Sequence, residues 1–183
     1  LRRFPELCKT SFVFSCPLRA SVRQVFFALP RANCLLFMAV PYQDILAQTS
    51  NHLSAYFQKN IGAEYVFHDL THTKQVVEAV IEIGLGCGVG ERELALLQLA
   101  AWFHDCGYSQ GAEGHEERGC QPAVHFLSKF GLSDRDLDIV TRCIMAPRLP
   151  FKPKDLLEEI ICDADLSHLG KKIYWDRCGR LRQ

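Results

Sequence analysis

Two histidines four residues apart, His68 and His72 in "FHDLTHT", form a pair suited to proton transfer or metal binding. Four residues along an α-helix is just over one turn, so both imidazoles would lie on one face. Imidazole changes charge near neutral pH and offers either a lone pair to a metal or a proton to a leaving group. A second stretch, "AWFHDCGY", puts His104 and Asp105 at the end of a strongly apolar segment. Asp165 follows in "ICDADLSHLG".

Helical periodicity turns these polar residues inward. His72 shares a stripe with Val76, Ala79, Val80 and Ile83, and Asp165 shares one with Ile161, Cys162 and Leu169. Ionisable groups are expensive to bury unpaired, so several in one core need a common counter-charge. A divalent cation held by two imidazoles and two carboxylates supplies it. That donor set suits zinc, manganese or iron(II), and takes magnesium less tightly. Each residue alone has a plainer reading, as a satisfied core histidine or an unremarkable His-Asp pair. Only the combination points to a site.

The order His…His-Asp…Asp resembles the HD superfamily of metal-dependent phosphohydrolases, on His72, His104, Asp105 and Asp165. Asp163 is the rival for the last position, but it is two residues off and faces away. The resemblance covers roughly residues 65 to the C-terminus. It implies an all-α, phosphodiesterase-like bundle and hydrolysis of a phosphoester by metal-bound hydroxide. The ion would be manganese, iron, zinc or magnesium, and the substrate a small phosphoester, a nucleotide or cyclic nucleotide. The alternative is a module that keeps the pocket to sense a nucleotide without turning it over. "AAWFHDCGY…HEE…DADLSHLG" is also similar to the HD domains of bacterial Pycsar-type effectors, which respond to cyclic pyrimidine nucleotides.

"FHDLTHT" is similar to the Tyr-His-Asn-x-x-His signature of cyclic-nucleotide phosphodiesterases, with Phe67 for Tyr and Asp69 for Asn. That likeness implies His72 as ligand and His68 as general acid, with Asp69 orienting it. The plain alternative for His68 is a solvent-facing residue at a helix start. Asp105, catalytic as well as ligating, could bridge to a second ion. His115, opening "HEE", is the candidate extra ligand, against a polar residue at a helix N-terminus. No histidine lies between His125 and His168, so a full five-histidine second site is not expected. A second, mostly water-ligated Mg²⁺ stays open. Arg118, Arg142, Arg148, Lys152 and Lys154 are candidate phosphate partners by position, against ordinary solvated charges.

The elements needed to position these residues are about six helices. Residues 43–59 read as the first, and Thr71 as the N-cap of "HTKQVVEAVIEIG". "GLGCGVG" reads as a turn, because no strand precedes it and no Gly-Lys-Ser/Thr follows. "ERELALLQLAAWFHD" is a buried helix stopped by Gly107. "HEERGCQPAVHFLSKFG" carries Pro122 in an early turn or at a kink. Ser133 caps "DRDLDIVTRCIMA", and three prolines stiffen the loop before "DLLEEIICDADLSHLG". The fold class is an all-α helical bundle.

Zero formal net charge excludes a global pull toward nucleic acid or an anionic membrane. The zero hides an asymmetry: residues 1–43 hold six basic residues and one acid. That opening, rich in Phe and Ser, reads as a leader over 1–40, either organellar targeting or a poorly ordered or mis-started segment. Residues 41–183 read as one domain, with truncation at its C-terminus open. Arg31 and Pro30 interrupt the hydrophobic run, so no membrane span is expected. The nine cysteines never form C-x-x-C, which argues for a reducing, cytoplasmic setting.

Overall fold

The computed structural model describes residues 42–170. The leader expected over 1–40 lies outside the described residues. Six α-helices run in order, α1 Tyr42–Asn60, α2 Leu70–Gly86, α3 Glu91–Phe103, α4 His115–Leu127, α5 Asp134–Met145 and α6 Leu156–Leu166. Short 3-10 turns span Cys106–Gln110, Ser128–Phe130 and Ser167–Gly170. No described helix is long and apolar enough to cross a membrane.

The bundle is organised around α3, which packs against each of the other five helices. Its composition demands that place. Leu96, Leu97, Leu99, Ala100, Ala101 and Phe103 are fully buried, and beyond the first turn only Gln98 is partly exposed, as for a helix near the middle of a bundle. His104 and Asp105 therefore emerge at the centre of the domain, where α3 ends.

Capping sets the start of α2, though not at the expected residue. Asp69, two positions before Thr71, is the N-cap, and its side chain accepts from the His72 backbone N–H at 2.7 Å. Thr71 is inside the helix. Either residue type can cap; Asp69 leaves Leu70 as the first helical residue and puts His72 in the first turn. Helix α2 also runs through two of the four glycines, ending at Gly86, and Gly88 makes the turn at φ 72°.

Gly107 is not a left-handed helix stop. It lies in the 3-10 turn, where a Cβ would stand 1.9 Å from the backbone oxygen of His115. Its hydrogen lets the start of α4 approach the end of α3. Pro122 lies inside α4, beyond its first turn, and the helix continues to Leu127.

Ser133 caps α5 in a reciprocal box with Asp136, as its sequence suggests. Asp136 also pairs with Arg92 at the start of α3. Asp155 caps α6, and Arg142 of α5 bonds both Asp155 and Glu158, tying α5 to α6. These ties hold Asp165 toward the end of α3. Ile161 and Cys162 on its helix are buried, but Leu169 falls past the helix end and is exposed. Asp163 faces solvent.

Candidate metal centre

Four side chains from three regions of the chain meet where α3 ends. Nε2 of His72, from α2, is 2.9 Å from Asp165 Oδ1 and 3.7 Å from Asp105 Oδ2. Nε2 of His104 is 3.2 Å from Asp105 Oδ2 and 3.7 Å from Asp165 Oδ1. Donor atoms about 2.1 Å from one ion stand roughly 3.0–3.4 Å apart in octahedral or tetrahedral arrangement. The observed separations bracket that range: His72, His104 and Asp165 form one group that could hold a divalent cation, and Asp105 Oδ2 lies 3.7 and 3.2 Å from the Nε2 atoms of His72 and His104.

Hydrogen bonding around His104 tests the fit independently. Its Nδ1 is 2.8 Å from the carbonyl oxygen of Ala101, which can only accept, so Nδ1 carries the hydrogen. In the neutral ring Nε2 then holds the lone pair. That atom is buried and has no hydrogen-bond partner, although two carboxylates are close. A buried lone pair aimed between two carboxylates suits a cation, and the Ala101 carbonyl orients the ring as an outer partner should.

The charges agree. Full burial disfavours the protonated form of His104, yet Asp105 and then Asp165 outweigh burial and raise its pKa well above the usual imidazole value. Burial pushes the Asp105 carboxyl up, but His104 and then His68 more than offset it and hold it well below the carboxylate range. Asp165, opposed by burial but flanked by His104 and His72, is lowered too. In the metal-free site protons on histidine balance two carboxylates, a task a bound ion would take over.

His68 lies at the edge of this cluster, with its side chain 34% exposed. Its Nδ1 is 3.1 Å from Asp105 Oδ2, and its Nε2 is 2.9 Å from the hydroxyl of Tyr108. With His72 and Asp105 it forms a second group that could hold an ion. Asp69, expected to orient His68, has its carboxylate capping α2. His115 is the first residue of α4, with Nε2 3.9 Å from the other Asp105 oxygen, Oδ1. Its Nδ1 faces the Ala112 carbonyl at 2.8 Å, which leaves the Nε2 lone pair toward Asp105. Both readings of His115 thus describe one placement.

Two neighbours were not singled out in the sequence. Tyr108 stacks flat on His68, and burial with the Asp105 charge pushes its phenol up, so it stays a hydroxyl. His168 contacts the Asp165 backbone oxygen through Nδ1 at 2.7 Å and sets its ring edge-on to His72. Tyr108 is three residues beyond Asp105 and His168 is three beyond Asp165, but ordinary residues carry no signal at that spacing.

A groove of about 460 Å³ opens on the cluster, lined by His68, Asp105, His115, Arg148, Phe151 and Asp165 among others. That volume suits a small molecule. Of the five candidate cations only Arg148 lines it. Arg118 is spent on the carbonyls of Gly107, Gly111 and Glu113, and Arg142 on Asp155 and Glu158. A second groove, of about 490 Å³, shares Arg148 and Leu149 and carries Lys152 and Lys154, away from the histidines.

No family model and no curated protein matches the chain. A solved structure does: that of a predicted HD superfamily hydrolase from an uncultured Thermotogales bacterium, at 25% sequence identity and a TM-score of 0.62. The match covers 74% of this chain and 75% of that one. With the all-α architecture, the match supports an HD-superfamily fold for this chain.

Proposed function

We propose that this domain is a metal-dependent phosphohydrolase acting on a small phosphoester, a nucleotide or cyclic nucleotide. His72, His104, Asp105 and Asp165 hold the ion in this reading. The observation that carries it is the buried Nε2 of His104, unpartnered beside two carboxylates. The similar hydrolase of the same superfamily supports hydrolysis as the reaction class.

A divalent ion at this position supplies Lewis acidity to the reacting phosphoryl group and acidifies water. The chain's own residues do the rest. Asp105 and Asp165 would supply the carboxylates that face the ion, in place of the protons that balance them without it. Arg148 offers a guanidinium to phosphate oxygens at the mouth of the groove, where its planar fork matches their geometry. His68, at the edge of the cluster, holds a hydrogen next to the reaction centre for the departing oxygen. Asp105 and His115 place donors where a further ion could share the Asp105 carboxylate.

Metal analysis of the purified protein, combined with a panel of nucleotide and cyclic-nucleotide esters, tests the proposal. The expected result is about one or two equivalents of a divalent metal and metal-dependent release of product from at least one ester. Tight nucleotide binding with metal present and no turnover of any ester would replace the enzyme with the sensing module.

A further inference from the structure

We propose that Tyr108 is the positioning residue of His68, fixing its ring so that the N–H it presents to the metal-ligand cluster is on Nδ1, not Nε2. The inference deepens the phosphohydrolase reading and rests on it only for what His68 does with that hydrogen.

Geometry at both ring nitrogens carries the assignment. Nδ1 faces Asp105 Oδ2 at 3.1 Å, and an ionised carboxylate can only accept. A neutral His68 therefore keeps its hydrogen on Nδ1 and a lone pair on Nε2. The Tyr108 hydroxyl, 2.9 Å from Nε2, donates to that lone pair. The two rings also lie face to face, with centroids 3.9 Å apart and planes inclined by 16°. Rotating the imidazole by half a turn would put carbon atoms against Asp105 and the phenol, losing both hydrogen bonds. Face and edge are thus held by one residue.

Tyr108 is itself well anchored. It is 8% exposed, with Tyr65 edge-on at 5.2 Å and the His115 ring at 4.1 Å. The 3-10 turn that carries it is tied down on two sides. Arg118 Nε donates to the Gly107 carbonyl, and the Tyr56 hydroxyl meets Ser109 Oγ at 2.7 Å. A residue that only filled space would need neither a phenol oxygen at this point nor a turn so firmly held. Tyr108 does not line the groove, so it acts through His68 rather than on substrate.

The direct test is the tautomer of His68 in the wild-type protein, read from ¹⁵N-histidine NMR of the metal-free and metal-loaded forms. The His68 signals are assigned by their loss in His68→Gln. The expected result is hydrogen on Nδ1 in the wild type and a mixed or shifted tautomer in Tyr108→Phe, which keeps the stacked ring. Hydrogen on Nε2 in the wild type, or an unchanged spectrum in Tyr108→Phe, overturns the proposal. Turnover gives a second reading. Tyr108→Phe should lower kcat roughly 10-fold, the scale of one hydrogen bond, with KM and metal content unchanged. His68→Gln/Tyr108→Phe should be no slower than His68→Gln, because Tyr108 acts only through His68. Additive losses overturn it. A wild type with the expected tautomer that hydrolyses no ester leaves the positioning role standing and removes the phosphohydrolase reading instead.

Discussion

His104 and Asp105 are adjacent in the chain, and Nε2 of one stands 3.2 Å from Oδ2 of the other without a hydrogen bond between them. Buried groups this close need a positive charge between them, either a proton on the imidazole or a bound cation. The Ala101 carbonyl has already taken the other ring nitrogen, so the ring cannot turn away without losing that bond.

Metal should therefore contribute to folding. Chelation should lower the melting temperature of wild-type protein, and saturating metal at about 100 times its Kd should restore roughly 2.7 kcal/mol. Asp165→Asn should bind less metal and melt at nearly the same temperature with and without chelator. A full metal complement in that variant would remove Asp165 from the site.

The pH dependence of chelated protein follows from the shifted groups. His104 is raised in the folded state, so its contribution is complete below the unfolded histidine value of about 6.5 and is lost as pH rises through its folded pKa. Asp105 and Asp165 are lowered, so theirs is complete above the unfolded value of about 3.9 and is lost as pH falls through their folded pKa values. Metal-free protein should be most stable between about pH 4 and 6.5, while metal affinity should rise with pH as the proton leaves His104. Thermal melts across pH with and without chelator check both. A chelated protein that gains stability from pH 7 to 9 would contradict the charge assignment.

Arg148→Ala should weaken substrate binding and leave the fold alone. Its pair with Glu117 is exposed on both sides and contributes little to stability. Loss of one charge-assisted contact to phosphate should raise KM about 10-fold. Steady-state kinetics beside Lys152→Ala, from the neighbouring groove, checks the assignment, and an equal rise in KM for both variants would move the phosphate contact elsewhere.

Gly107→Ala should disturb the fold and the centre together, because the new Cβ would stand 1.9 Å from the His115 carbonyl oxygen and must push α4 away. A loss of about 1–3 kcal/mol is expected from denaturant unfolding. An unchanged midpoint would show that the start of α4 yields freely.

Helix α3 was legible because its run from Leu94 to Phe103 is apolar except for Gln98, which favours the middle of a bundle. The inward placement of His72 was legible from helical periodicity, whereas reading it with His104, Asp105 and Asp165 as one ligand set came from the resemblance. Asp69 was missed as the cap because Thr71 offers the same chemistry two residues later, and local spacing cannot choose between them. Tyr108 went unnoticed, and Arg118 was read as a phosphate partner, for a different reason. What each does depends on atoms brought close by folding: the His68 imidazole, from 40 positions away, for one, and three backbone carbonyls for the other. Main-chain acceptors have no residue type to read.

On the proposed reading, one divalent ion joins His72, His104, Asp105 and Asp165. Anomalous diffraction from crystals loaded with Mn²⁺ tests it most directly. A peak is expected about 2.0–2.3 Å from Nε2 of both histidines and from one oxygen of each aspartate. A peak that His104 does not reach, or one held by His68 in its place, would contradict it.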